Sequence, residues 1–187
     1  MQPYFLTAEE AELQRTARDF ACREVAPQAA ANSRAKRFPA EIVRRAAELG
    51  FLGMLVPPEY GGSGRGNFAL VLVLEELNRA CASTGVTVSV HNSLCSAPLR
   101  HFGSEALKRA YLPRLARGEL LGAYCLTEPQ SGSDAAALVT SAVSDADHYV
   151  LNGTKFFVTS GAEADLFVVF ARTDTAHKTH GITAFVV

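Results

Sequence analysis

The sequence predicts an α+β protein with its two kinds of element segregated along the chain. An all-α N-terminal helical bundle is expected over residues 1–121, and an incomplete antiparallel β domain over 122–187. Three observations predict this. Apolar residues recur at helical spacing as far as residue 121, and the period then changes to two. Helix-capping residues (Thr7, Pro39, Gly50, Ser104, Gly118) punctuate the first part. Turn formers separate short β-branched and aromatic runs in the second.

Taken in order, residues 7–31 read as one long helix. Thr7 and Glu10 have the spacing of a capping box, and Leu13, Ala17, Phe20, Ala21 and Val25 recur on one face. Pro27 is expected to end or kink it, with a polar connector from Asn32 to Arg37. A second helix spans Pro39 to Leu49, with Ile42, Val43, Ala46 and Leu49 as its apolar face and Gly50 as its C-cap. The glycine- and proline-rich stretch from Pro57 to Asn67 reads as a loop. Asn67 is placed to cap a helix of Phe68 to Ala82. Residues 84–101 are apolar and polar by turns, and the flanking pattern favours helix there; His91 within it reads as a satisfied buried polar group. Ser104 caps a last helix to about Arg117, which Pro113 should bend or shorten. The strands expected next are Ala123–Thr127, Leu138–Val143, Tyr149–Leu151, Lys155–Thr159, Leu166–Ala171 and Ile182–Val187.

Composition narrows the function classes. A chain of 187 residues with 48% hydrophobic and 20% charged residues is that of an ordinary globular protein. A formal net charge of -1 gives no electrostatic reason for a nucleic-acid partner or for membrane insertion. The four cysteines (Cys22, Cys81, Cys95, Cys125) lie far apart in apolar or helical contexts, as buried reduced thiols would. The N-terminus has no secretory or transit pattern, so a cytoplasmic protein is expected. His177 and His180, with Asp174 nearby, lack the further ligands of a metal site, and none is assigned.

Two stretches carry chemistry. The first is Tyr124-Cys125-Leu126-Thr127-Glu128-Pro129-Gln130-Ser131-Gly132-Ser133-Asp134. A buried strand stops at Pro129, which lacks an N–H, and runs into small hydroxyl residues around Gly132. Such a loop is either an ordinary polar turn or a cradle for an anionic ligand. Glu128 and Asp134 within it read as loop-bracing acceptors rather than an acid–base pair. The second stretch, His148 to Gly161, reads as a hairpin turning at Asn152-Gly153. Its second arm would put Phe157 and Thr159 on one face, an aromatic ring beside a hydroxyl.

Together these stretches resemble the acyl-CoA dehydrogenase family. Residues Cys125 to Ala137 fit the family's signature loop, and Leu151-Asn152-Gly153-Thr154-Lys155 with Phe157-Val158-Thr159 fit its following hairpin. The likeness extends to Pro57-Pro58-Glu59-Tyr60-Gly61-Gly62, Phe102-Gly103-Ser104-Glu105, Leu112-Pro113 and Gly118-Glu119. The resemblance implies FAD as cofactor and an acyl-CoA substrate, oxidised between Cα and Cβ to the trans-2-enoyl-CoA. It implies that Tyr124, Cys125, Leu126 and Thr127 line the flavin ring, and that Gly132 and Ser133 face the junction of flavin and thioester, with Ser133 also touching substrate. Phe157, Val158 and Thr159 would cover the other side, with the Thr159 hydroxyl at flavin N5. The family often has tryptophan at Phe157; phenylalanine keeps the flat contact and lacks the indole N–H. It further implies an electron-transferring flavoprotein as electron acceptor and a homodimer or homotetramer. The family's catalytic glutamate comes from a C-terminal helical domain, so no catalytic residue is assigned here. The apolar run Thr183 to Val187 reaches the end of the chain, as in a piece of a longer protein. Two other readings stay open: an acyl-CoA oxidase or related flavin monooxygenase, and a non-catalytic protein that binds flavin or acyl-CoA.

Overall fold

A computed structural model describes residues 5–174, 176–177 and 180–187. The expected histidine loop at 177–180 therefore falls partly outside the described residues. The chain forms two compact units that divide between Leu120 and Leu121.

The first unit is helical. Helix α1 (Ala8–Phe20) starts at the expected capping box: the Thr7 hydroxyl accepts the Glu10 N–H, and the Glu10 carboxylate accepts the Thr7 N–H at 2.7 Å. Pro27 does not end the helix. The chain widens into a π-helical turn (Ala21–Val25) and continues as α2 (Ala26–Arg34), with Pro27 in its first turn, where a missing N–H costs least. The expected polar connector is therefore half helical. Asn32 is buried, and its Oδ1 accepts from Arg37 Nε at 3.0 Å.

Helix α3 (Ala40–Glu48) buries Ile42, Val43 and Ala46, as its pattern predicts. The irregular stretch after it, Phe51 to Val56, is buried too. Its backbone is satisfied by Asn92, whose amide oxygen accepts the N–H groups of Met54 and Leu55 and whose amide nitrogen donates to the Phe51 carbonyl at 2.8 Å. Helix α4 (Gly66–Ala80) starts just before Asn67, which lies in the first turn and is not the cap. Residues 84–101 are helical as expected: α5 (Ala82–Val90), a π-helical turn (His91–Ser96) and α6 (Ala97–Phe102). The Ser104 hydroxyl caps α7 (Glu105–Ala116), which runs through Pro113.

Two contacts show how the bundle is tied. The ring of Phe20 meets Phe51 edge-on at 6.0 Å, and Arg18 Nη2 donates to the buried Glu76 carboxylate at 2.7 Å, joining α1 to α4. His91 is fully buried, with Nε2 3.1 Å from the Leu115 carbonyl. Burial drives its pKa down to about 4, against the smaller opposing effect of that carbonyl, so it is a neutral packing group. All four cysteines are free thiols, but Cys22 is exposed, contrary to the expectation of burial. It lies on the outward side of the π-helical turn, next to the buried Ala21.

The second unit is a five-stranded sheet: β1 (Gly122–Cys125), β2 (Ser141–Asp145), β3 (His148–Asn152), β4 (Leu166–Arg172) and β5 (Ile182–Val186). Strand β4 is central. It pairs in parallel with β1 (Ala123 beside Phe167), meets β2 in parallel at Ser141–Arg172, and pairs antiparallel with β5. The sheet is thus mixed and not wholly antiparallel. The reason is connectivity: a long crossover holding the β2–β3 hairpin separates β1 from β4, and strands joined by such a crossover can run the same way.

The hairpin also differs from the expected one. Strand β3 pairs with β2 across Ala146-Asp147, and Asn152 is its last paired residue, opposite Ser141. Gly153 makes no turn. A Cβ there would collide with the Thr140 side chain, so this glycine permits a close approach. Residues 155–159 form no strand. Phe157 and Ser160 have φ of 54° and 59°, in the left-handed region that interrupts extended pairing.

Candidate functional site

The two sequence stretches meet in the sheet unit. Strand β1 delivers Tyr124 and Cys125, then bends into Leu126 and Thr127. Cys125 is buried, and burial pushes its thiol pKa up, so it is an inert packing group. Tyr124 sits half-buried, edge-on to Phe170 at 5.1 Å, and burial raises its phenol pKa. Leu126 and Thr127 are half-buried.

Glu128 organises the loop beyond. It is 3% exposed, yet both carboxylate oxygens are occupied. Oε1 accepts from Lys155 Nζ at 2.7 Å and from the Thr140 N–H at 3.0 Å; Oε2 accepts from the Val139 N–H and from Gln130 Nε2, both at 2.6 Å. Burial opposes ionisation. The Lys155 ammonium and the backbone N–H groups outweigh it and hold the carboxyl at about 2. Backbone bonds in both directions between Glu128 and Ser131 close the loop, and the Ser131 hydroxyl donates to the Asp134 carbonyl at 2.7 Å. The bracing role expected of Glu128 is what its bonds show, whereas Asp134 serves through its backbone.

At the loop tip, Gly132 and Ser133 are exposed. A Cβ built at Gly132 would meet nothing, so the backbone there faces open space. The expected partners from the second stretch arrive by another route than a strand. Lys155 Nζ donates to the Leu126 carbonyl at 3.0 Å as well as to Glu128, and the Phe156 N–H donates to the Thr127 carbonyl at 2.8 Å. Phe157 follows at once, 88% exposed, its ring edge-on to that of Phe156 at 5.6 Å and its backbone in a conformation that bulky residues rarely adopt. Val158 and Thr159 are half-buried. The structure thus joins Leu126 and Thr127 to the segment carrying Phe157 to Thr159. It gives Gly132 and Ser133 no bond to that segment.

Sequence reasoning assigned no role to Lys155. Its signal is a lone cation between the glycine and an apolar run, spaced to reach a buried carboxylate. The fit to a flat ligand with polar edge atoms rests on this chain's own groups. The Thr127 and Thr159 side chains make no hydrogen bond among the described residues, and the exposed Phe157 lies two residues before Thr159 and directly after Phe156, whose N–H holds the Thr127 carbonyl.

Comparison with known proteins gives a consistent result. Residues 7–119 match the family model for the acyl-CoA dehydrogenase N-terminal domain, and residues 123–187 match the model for its middle domain. The chain is 44% identical over 182 residues to the short-chain-specific acyl-CoA dehydrogenase of Clostridium acetobutylicum, covering 97% of this chain and 48% of that protein. It is 45% identical over 175 residues to the human mitochondrial short-chain-specific acyl-CoA dehydrogenase, covering 94% and 42%. Among solved structures, one titled for the electron transferring flavoprotein of Acidaminococcus fermentans superposes with a TM-score of 0.95 at 40% identity, covering 100% of this chain and 49% of that one. A glutaryl-CoA dehydrogenase from Mycobacterium smegmatis in complex with FADH2 superposes with a TM-score of 0.90 at 34% identity, covering 97% and 46%. The chain spans about half the length of the relatives it matches.

Proposed function

The chain belongs to the acyl-CoA dehydrogenase family, and from that premise we propose that it is part of an FAD enzyme that oxidises a short acyl-CoA to the trans-2-enoyl-CoA. One observation carries the reading. The Phe156 N–H to Thr127 carbonyl bond and the two Lys155 bonds bring both flavin-type stretches together in one folded unit.

FAD, when bound, supplies the acceptor for the substrate's β-hydrogen. Thr127 would offer its hydroxyl to a polar edge of the ring, and Phe157 a flat apolar face. Thr159 would donate a hydrogen bond at the flavin's reactive nitrogen, where negative charge develops during hydride transfer. Tyr124, Cys125, Leu126 and Val158 would pack around these groups, and Gly132 with Ser133 would border the thioester.

Glu128 is not the base that takes the α-proton. It is ionised with a pKa of about 2, and each oxygen already holds two donors, so it has neither the basicity nor the free lone pair that proton abstraction needs. The catalytic carboxylate is therefore proposed to lie outside these residues. The short-chain relatives support the substrate class, and the structure titled for an electron transferring flavoprotein supports such a protein as electron acceptor. No helix among the described residues is long and apolar enough to cross a membrane. A cytoplasmic setting and a homo-oligomeric assembly complete the proposal.

The test is to express the complete reading frame, titrate it with FAD by fluorescence and assay it with acyl-CoAs of increasing length and an artificial electron acceptor. Stoichiometric FAD and turnover that falls with chain length are expected. A protein that binds no flavin, or that oxidises no acyl-CoA, sinks the reading.

A further inference from the structure

We propose that Lys155 and Glu128 are positioning residues for the flavin: their buried ion pair clamps the end of β1 to the segment bearing Phe157 and Thr159, and so fixes where Thr127 and Phe157 meet the ring. This rests on the FAD reading above and goes beyond it, because neither residue is expected to touch the cofactor.

The bond pattern is unusually concentrated. Two residues, Lys155 and Phe156, between them reach three successive ones, Leu126, Thr127 and Glu128. Lys155 takes the first and third through its ammonium, at 3.0 and 2.7 Å, and Phe156 takes the middle one through its N–H, at 2.8 Å. With its carbonyl bonded to the Phe156 N–H, the Thr127 backbone is fixed, and with it the point from which the hydroxyl is presented. The ion pair is well shielded, with Lys155 and Glu128 side chains 11% and 1% exposed, so water cannot readily replace either partner.

Phe157 is the residue immediately beyond the clamp. Its left-handed backbone, at φ 54°, persists only if neighbours on both sides over-determine it. On the N-terminal side stand the clamp bonds. On the C-terminal side the Val158 carbonyl accepts the Gly161 N–H, and the Ser160 carbonyl accepts from Glu163 and Ala164. The segment Phe157 to Thr159 therefore lies between two sets of bonds, the first of which runs through the Lys155 side chain.

The pair is also asymmetric in a way that makes it testable. Without Lys155, Glu128 keeps the Val139 and Thr140 N–H groups and Gln130, so the loop retains its brace. Lys155→Met should then loosen the clamp with the fold intact.

The experiment uses the complete reading frame and compares wild type, Lys155→Met and Lys155→Arg. Lys155→Met is expected to fold with a lowered thermal midpoint, because the buried Glu128 carboxylate loses its counterion, to raise the FAD dissociation constant about tenfold or more, and to shift both the absorbance bands and the reduction midpoint of the flavin that remains bound. Lys155→Arg is expected to recover most of the affinity and the spectrum. Should Lys155→Met fail to fold, Lys155→Gln, which keeps a donor for the Leu126 carbonyl, takes its place in the same comparison. Wild-type affinity, spectrum and potential in the variant that folds would overturn the inference and leave the proposed function standing. A lowered thermal midpoint with an unchanged flavin spectrum would overturn it too, reducing the pair to a support of the fold. A wild-type protein that binds no FAD would overturn both readings.

Discussion

Thr159 is where a single atom separates chemistry from scaffolding. Its hydroxyl has no hydrogen-bond partner among the described residues, so Thr159→Val removes no bond among them and keeps the β-branched shape. The variant is expected to melt and to retain FAD like wild type. Loss of a hydrogen bond that strengthens as charge develops should cost about 1.5–3 kcal/mol, or roughly a ten- to hundredfold fall in kcat with little change in KM. A variant that loses flavin but keeps its rate per bound flavin would show the hydroxyl to be a binding contact only. Phe157 makes the complementary case. Glycine tolerates the left-handed backbone that phenylalanine adopts only under constraint, so Phe157→Gly should stabilise the fold by about 1 kcal/mol or leave it unchanged. The same change removes the exposed ring, so flavin retention should fall. In thermal denaturation and flavin-to-protein absorbance read on one sample, the flavin ratio should fall while the midpoint holds or rises. A loss of stability together with full flavin retention would refute the assignment of the ring to the cofactor.

At the scale of the element, legibility followed the locality of the forces. Helix α1 was readable because Thr7 and Glu10 satisfy each other's backbone groups three residues apart. Helix α3 was readable because Ile42, Val43 and Ala46 share one turn-spaced face. Pro27 misled because a π-helical turn, invisible in spacing, absorbed its missing donor. The flavin-type stretches are legible as motifs, but the second does not form the hairpin that its Asn152-Gly153 implies. Asn152-Gly153 has the composition of a tight turn, and only the long-range approach of Thr140 explains the glycine. The true β2–β3 turn, Ala146-Asp147, carries no glycine at all. Ala146 sits at φ 52°, the sign that the first central residue of a type II′ turn requires. Ala146→Gly should therefore stabilise the sheet unit by roughly 0.5–1 kcal/mol, the relief of left-handed strain less the added freedom of the unfolded chain. A thermal midpoint that rises by a few degrees would bear this out. A midpoint that falls would mean that alanine is unstrained there.

Among the described residues, the buried His91 and Glu76 of the helical unit and the buried Glu128 of the sheet unit set an acid limit in two stages. His91, in the helical unit, has a folded pKa of about 4, below its ordinary 6.5. Between those values the unfolded chain binds a proton that the folded chain refuses, so stability rises with pH across the window. The contribution is complete above about pH 6.5 and is lost as pH falls toward 4. A depression of this size corresponds to about 3 kcal/mol for a group without solvent exposure. Glu128, in the sheet unit, has its carboxyl held at about 2, below its ordinary 4.5. It too binds the proton more readily when unfolded, so its contribution is present above 4.5 and is lost below. Acidification should thus begin to weaken the helical unit between pH 6.5 and 4 through His91, and act on both units below 4.5, through Glu76, whose carboxyl Arg18 holds below its ordinary value, and Glu128. His91→Gln should flatten the upper part of the stability–pH curve whatever it does to stability at neutral pH, while leaving the part below pH 4 intact. Denaturant titrations of wild type and variant at several pH values measure both slopes. A variant curve as steep as wild type between pH 6.5 and 4 would show that His91 is not the group that binds the proton.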